Sequence, residues 1–343
     1  MKHLLNTLYI TTQGTYLARE GETILIRVGE ETRFRIPIHT LGGVVCFGQV
    51  SCSPFLMGLC AEHNVPISFL TEQGRFLARV QGAFAGNVLL RREQYRWADS
   101  EEKSARIAQS IVIGKIANYR IVLLRALRDN PDRSESPCLE LAVGRMARIM
   151  KDLREPLSLN IIRGKEGEAT RIYFGVFDHL VLAQKESFTF VERNRRPPLD
   201  NINALLSFLY ALLVHDVTAA LEGVGLDSAV GYLHRDRPGR PGLALDLMEE
   251  LRPLLADRLA LSLINRQQVK VSGFRTTETG AVFMNDVTRK EILVAYQKRK
   301  QEEIQHPFLG EQITWGLIPH VQALLLSRHL RGELDAYPPF FWK

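Results

Sequence analysis

Along the first 80 residues the apolar positions come in short, β-branched, partly alternating runs divided by turn residues. Leu8-Tyr9-Ile10-Thr11-Thr12 stops before Gly14, Tyr16-Leu17-Ala18-Arg19 stops before Gly21, and two further runs cover residues 23–28 and 32–38. Alternation at that spacing predicts strands. Gly42-Gly43 precedes another apolar run, Val44-Val45-Cys46-Phe47. Phe55, Leu56, Leu59 and Cys60 repeat at helical spacing between Pro54 and His63 and predict one helix. Residues 67–70 and 76–80 read as two more strands, with Gln73-Gly74 as their hairpin turn. From about Leu89 the period changes to that of a helix. Ile107, Ile111, Ile113, Ile116, Ile121 and Leu124 mark one long helix, which residues 129–132 break, and a second runs from about Pro137 to Leu153. Leu205, Phe208, Leu209, Leu212 and Leu213 line the apolar face of a helix over 201–222, and a hairpin of 268–274 with 281–284 interrupts a mainly helical C-terminal half. The expected fold is α+β: a β-sandwich-like domain over residues 1–84, a linker over 85–98, and a mainly α-helical domain over 99–343. The small residues and glycines at 82–86 mark the boundary.

Composition adds little to that picture and removes several alternatives. With 343 residues, 45% hydrophobic and 24% charged, the chain can build sizeable cores and is neither a disordered tail nor a disulfide scaffold. No uninterrupted apolar run reaches the roughly 18–20 residues that span a bilayer. The run at 211–214 is cut by His215 and Asp216. No membrane association is expected, and the N-terminus lacks the long apolar stretch of a signal peptide. The four cysteines form no CxxC pair and read as free thiols in a reducing cytoplasm. Charge is more informative. The net +6 comes from 33 Arg and 11 Lys against 38 acidic groups, and the excess sits in residues 86–200, with 21 basic and 16 acidic side chains. An arginine-rich excess is a weak electrostatic footprint for nucleic acid, although a compositional bias toward arginine accounts for it equally well.

No phosphate-cradling glycine loop, nucleophile elbow or HExxH motif is present. Three segments stand out instead. In Arg163-Gly164-Lys165-Glu166-Gly167, two glycines bracket Glu166 and leave its carboxylate room to approach a ligand; a simple acid near a helix N-terminus is the plainer reading. Gly231-Tyr232-Leu233-His234 ends an apolar run and opens a stiff basic loop with Arg235, Arg237 and Arg240. There the imidazole can bind a metal and the arginines phosphates, or the histidine simply closes an element. In the helical stretch around Asp246, Glu249 and Glu250, the three acids share one face, with Leu247, Met248 and Leu251 opposite. That face is either solvated or, beside His234, a site for a hard divalent ion.

These three segments, in this order, resemble the CRISPR-associated endonuclease/integrase family of spacer acquisition. The stretch 196–207, Arg-Pro-Pro-Leu-Asp-Asn-Ile-Asn-Ala-Leu-Leu-Ser, is similar to the family segment before the histidine. The segments 35–38 and 67–70 look most like the type I-C subgroup. The resemblance covers nearly the whole chain. It implies a metal-dependent DNA endonuclease/integrase that inserts short DNA fragments into CRISPR arrays by 3′-OH transesterification, with a metal-dependent repair nuclease acting on branched or single-stranded DNA as the alternative. It implies Glu166, His234 and Glu249 as catalytic ligands of Mg²⁺ or Mn²⁺, Asp246 as an alternate or outer ligand, and Arg163, Arg235, Arg237 and Arg240 as contacts to DNA. It further implies double-stranded DNA as partner, a homodimer through residues 1–84, and a small ferredoxin-like companion completing a heterohexamer. The aromatic tail 336–343 has two expected fates: folding back on the helical domain, or docking on that companion.

Overall fold

The computed structural model describes residues 6–80, 82, 87–129 and 134–342. Its N-terminal part runs β1 (Asn6–Ile10), β2 (Thr15–Glu20), β3 (Thr23–Val28), β4 (Glu31–Pro37), β5 (Leu41–Phe47), β6 (Val50–Cys52), α1 (Pro54–Glu62), β7 (Ile67–Leu70) and β8 (Phe76–Val80). Two four-stranded sheets result, in the orders β1-β5-β7-β8 and β4-β3-β2-β6. In the first, β1 and β7 both run parallel to β5, and β8 closes the edge antiparallel. In the second, β2, β3 and β4 form a meander paired Leu17 with Ile26 and Ile24 with Ile36, and β6 runs parallel to β2. Leu17, Ile24, Val44 and Ile67 are fully buried between the sheets. Leu56, Leu59 and Cys60 of α1 join that core. Ser53 caps α1 by accepting from the Leu56 N–H at 3.2 Å, with Pro54 in the first turn.

The remainder is helical: α2 (Val88–Ala98), α3 (Glu101–Asp129), α4 (Ser136–Asp152), α5 (Leu159–Gly175), α6 (Asn201–Gly223), α7 (Gly242–Glu249), a π-helical turn over Arg252–Asp257, and α8 (Arg258–Asn265). A hairpin of β9 (Phe274–Thr276) and β10 (Val282–Met284), then α9 (Asp286–Gln301), a hairpin of β11 (Glu303–Gln305) and β12 (Gln312–Thr314), and α10 (Ile318–Leu330) follow. Helix α3 is the axis: Ala108, Ile111, Val112, Ile116 and Leu123 are wholly buried, and α4, α5 and α7 pack along it. The α+β class, strand-rich first and helical after, is the one expected.

Several details differ from expectation. Residues 88–98, expected within a linker, form α2. Its inner face carries Gln94, fully buried, whose amide donates to the Asp227 and Val230 carbonyls at 2.8 and 2.9 Å and accepts from the Asp227 N–H. A buried polar residue satisfied by a distant loop hides the helical period. The first strand of the expected hairpin begins at Phe274, because 271–273 turn tightly where Gly273 meets Thr288. The β11–β12 hairpin was not expected. Most of the boundary (residues 81 and 83–86) and most of the breaker (130–132) lie outside the described residues.

Helices α3 and α6 are long and apolar enough to cross a membrane by length and composition, yet 61% of each apolar window is buried inside the fold. The tail folds back: Tyr337, Phe340 and Trp342 are 2%, 0% and 8% exposed.

The two parts meet where Phe47 packs on Phe208 of α6 at 5.7 Å, Arg79 pairs with Glu222 at 2.6 Å, and the Ser68 hydroxyl lies 2.9 Å from His215 Nδ1. Burial holds the His215 imidazole down at about 4, against the pull of Asp216 in the other direction. A depressed folded value means that the neutral ring's contribution is present above the unfolded value of about 6.5 and is lost as pH falls through about 4. His215→Gln is expected to remove roughly 3 kcal/mol of acid-dependent destabilisation between those limits. Urea titrations of both proteins across that window check it; parallel pH profiles would refute it.

Candidate active site

Glu166 stands halfway along α5, about two turns from its start. A Cβ at Gly164 or Gly167 would meet nothing within 4 Å, so the helix face beside Glu166 is open. The Glu166 side chain is 25% exposed, and Thr170, one turn on, donates to its Oε1 at 2.9 Å.

His234 is delivered by a close crossing of chain over the first turn of α7. A Cβ on Gly231 would lie 2.7 Å from the Gly242 carbonyl carbon, and one on Gly242 would lie 2.5 Å from the Ala229 oxygen. The glycine pair thus lets the backbone of residues 232–234 rest on Asp246. That carboxylate, wholly buried, accepts from the Tyr232, Leu233 and His234 N–H groups at 2.6, 2.9 and 2.9 Å. Its Oδ1 also lies 2.6 Å from His234 Nδ1. Asp246 therefore orients the ring and turns Nε2 toward Glu249, whose Oε1 is 3.9 Å away.

The acidic face of α7 is not solvated. Asp246, Glu249 and Glu250 are 0%, 2% and 0% exposed, and they diverge. Glu249 turns toward Glu166, while Glu250 turns away into the tail. The Lys115 ammonium of α3, itself buried, sits between the first two, bonded to Glu166 Oε1 and 2.7 Å from Glu249 Oε2. Arg252 holds Glu249 Oε1 from the other side at 2.7 Å. Burial alone would push the Glu249 carboxyl up; Arg252, Lys115 and His234 together outweigh it and hold the group down at about 2.

Lys115 and Arg252 were not singled out from the sequence. Lys115 carried a signal, as a lone cation within the apolar run Ile111-Val112-Ile113-Gly114-Lys115-Ile116. Arg252 lies three residues beyond Glu249, on the same face.

Among the described residues no three His, Cys, Asp or Glu side chains stand at ligating distances around one point. The reason is the Lys115 ammonium, which holds the place where the two carboxylates converge. The donor chemistry nevertheless fits a hard divalent ion: two carboxylates already directed at one cationic atom, and an imidazole whose Nδ1 is tied to a carboxylate.

Arginines rim the site. Arg163 donates to the Leu233 carbonyl at 2.7 Å, and Arg163 and Arg235 both reach Asn160 Oδ1, at 3.3 and 3.2 Å. Arg235 and Arg237 are exposed, and Arg240 is half-buried. Burial and the neighbouring Arg235 push the Arg163 guanidinium down, and burial with Arg237 does the same to Arg240. Like charges crowded at a rim favour an anion between them. The structure thus brings Glu166, His234, Asp246 and Glu249 together and sets Arg163 and Arg235 beside them, with Arg237 and Arg240 on the loop that leaves His234.

The family model for CRISPR associated protein Cas1 matches residues 8–298. The CRISPR-associated endonuclease Cas1 1 of Chlorobaculum tepidum is 54% identical over 343 residues, covering 100% of both chains. The CRISPR-associated endonuclease Cas1 2 of Rhodospirillum rubrum is 52% identical over 347 residues, again covering 100% of both. A casposase bound to integration product shares the fold, with a TM-score of 0.84 at 21% identity over 99% of this chain and 95% of that one. The chain belongs to the Cas1 family of CRISPR-associated endonucleases.

Proposed function

We propose that this protein is a metal-dependent DNA endonuclease and integrase of the type I-C subgroup, acting in the cytoplasm, which joins the 3′-hydroxyl ends of short DNA fragments to a CRISPR repeat. The observation that carries the reading is the convergence of Glu166 and Glu249 on one cationic point, with His234 Nε2 turned toward it and arginines at the rim. Glu166, Glu249 and His234 would hold Mg²⁺ or Mn²⁺, which supplies charge neutralisation at a phosphoryl group and activation of an oxygen nucleophile. In joining, a P–O bond forms to the incoming 3′-oxygen, the target strand's P–O3′ bond breaks, and the proton lost by one hydroxyl is gained by the other. No nucleotide is consumed, in keeping with the lack of a phosphate-cradling loop in the sequence. This chain's part is to bind and orient: Asp246 fixes the imidazole, Arg252 keeps Glu249 ionised, and Arg163, Arg235, Arg237 and Arg240 seat phosphates.

A disintegration assay on branched DNA, with and without Mn²⁺, tests this. Metal-dependent release of one strand with rejoining of the other supports it. Cleavage without joining would make the protein a repair nuclease, and a metal-independent result would sink the reading. Binding should also weaken with salt. Each phosphate contact contributes about 0.7–0.9 to the log–log slope. Arg235, Arg237 and Arg240 all replaced by Ala are expected to lower the slope by about 2. An unchanged slope by fluorescence anisotropy would remove this loop from the DNA track.

For partners we propose a homodimer through residues 1–84 and a heterohexamer with a small ferredoxin-like companion. The support is the family resemblance and the strand edges of β4 and β8, which among the described residues lack a second neighbour within their sheets. A monomer by light scattering at micromolar concentration would overturn the dimer.

A further inference from the structure

Further along α3, beyond Lys115, the end of the chain builds a second cationic place. Arg125 of α3 lies 3.7 Å from the Trp342 ring centroid and Arg258, at the start of α8, lies 4.2 Å from it. The ring itself is 8% exposed and held in place by the Trp342 N–H, which donates to Asn118 Oδ1 at 3.0 Å. Stacking on an aromatic ring orients a guanidinium but leaves its N–H donors free. Among the described residues neither arginine makes a hydrogen bond or an ion pair, and Asp129, the carboxylate nearest along α3, pairs with Arg128 at 3.4 Å. Arg299 adds a third guanidinium, over Trp315 at 4.4 Å, with Glu302 as its partner.

Both arginines line one cavity of about 250 Å³, with Val122, Leu180 and Leu261 as apolar walls and Ser262, Asn265 and Asp129 as polar ones. Burial pushes both guanidines below their usual range, Arg258 to about 10, with Arg299 and Arg125 as the like charges that add to it. Two half-buried cations with unmet donors face one cavity, and the carboxylate at its edge, Asp129, is engaged by Arg128, so the two guanidines make a site for an anion. The ten residues from Lys115 to Arg125 separate it from the catalytic carboxylates by about 15 Å along the helix.

We propose that this cavity holds a backbone phosphate of a nucleic-acid strand, with Arg125 and Arg258 as donors and Trp342 as the ring that orients them. The apolar walls favour a phosphate carrying a nucleoside over a bare ion, since they have a sugar or base to cover. The nucleic-acid part rests on the DNA-acting function proposed above; the anion site itself does not.

The test uses the full-length protein with two probes, a fluorescein-labelled single-stranded oligonucleotide and pyrophosphate. Arg125→Gln with Arg258→Gln is expected to weaken oligonucleotide binding roughly ten-fold, as for loss of a charged hydrogen bond, and to lower the salt slope by about 0.7, one single-strand phosphate. Arg258→Lys keeps the charge and loses the fork, so it should weaken binding without changing the slope. It serves as the second variant should the double one fold poorly. Metal-dependent cleavage at saturating DNA should persist in both. Wild-type binding that neither variant changes would overturn the site and leave the DNA function standing. No oligonucleotide binding by the wild type would overturn the nucleic-acid assignment together with the function on which it rests. A thermal shift with pyrophosphate that the variants abolish, alongside unaltered oligonucleotide binding, would overturn the assignment in favour of a free phosphate compound.

Discussion

Glu166→Gln is expected to lower metal-dependent strand joining by about three orders of magnitude while the protein remains folded, with His234→Ala and Glu249→Gln equally inactive. A glutamine keeps the shape of the side chain and removes the charge that would hold a divalent ion and that now holds Lys115. Glu166 is the cleanest of the three, because its side chain is a quarter exposed and water can solvate what Lys115 loses. Glu249 is different. It is 2% exposed between Lys115 and Arg252, so neutralising it leaves two buried cations short of a partner, at a cost of about 3–5 kcal/mol. Its folded value is depressed to about 2, so its contribution is complete above the unfolded value of about 4.3 and is lost as pH falls through about 2. Asp246→Asn should act more mildly on chemistry, by about 10- to 100-fold, since Asp246 touches the imidazole and three backbone N–H groups rather than the point where the carboxylates meet. Joining kinetics alongside Mn²⁺ binding by electron paramagnetic resonance check all four. Near-wild-type joining by any two of the first three variants would show the site to be wrongly assigned, and a loss with Asp246→Asn as complete as with Glu249→Gln would exchange their roles.

Deleting residues 337–343 is expected to cost roughly 5–10 kcal/mol, enough to abolish a stable fold. Tyr337, Phe340 and Trp342 are all nearly inaccessible and would lose their burial. The larger effect falls on Glu250. Its carboxylate accepts from the Tyr337 hydroxyl, the Phe340 N–H and the Gln322 amide, while Asn118 ties the Glu250 and Phe340 carbonyls together at 2.7 and 2.8 Å. Without the tail, an acid beside Glu249 is left buried with one side-chain partner, Gln322. Calorimetry of the truncated chain checks this; a melting temperature within a few degrees of the intact protein would show that the tail is not part of the fold. The same acid gives a pH signature of opposite sign to that of Glu249. Burial pushes Glu250 up to about 7, partly offset by its hydrogen bonds to Tyr337, Phe340 and Gln322. Its contribution is therefore complete below about 4.3 and lost as pH rises through about 7. Glu250→Gln should remove roughly 3 kcal/mol of that dependence.

The strands of the β-domain and the long helices were legible in the chain itself, because alternation and the 3.6-residue period are local properties of a sequence. So was the strand-then-helix order, and with it the fold class. The acids and the histidine could be marked as candidates, but only their likeness to a known family selected Glu166, His234, Asp246 and Glu249 from the other charged residues. What the chain could not show was how these groups divide their work. Asp246, Glu249 and Glu250 lie on one helix face in any helical projection, yet Asp246 orients a histidine twelve residues earlier, Glu249 meets a lysine from α3, and Glu250 is sealed by a tail ninety residues on. Each assignment depends on a partner distant in sequence, and burial makes each one decisive, since a charge removed from water takes the nearest complement that tertiary packing supplies. Gln94 shows the same rule from the other side: a polar residue in a core position looks like a break in a helix until the loop that satisfies it is in place. Local periodicity thus settled where the elements run, and long-range pairing of buried polar groups settled what each of them does.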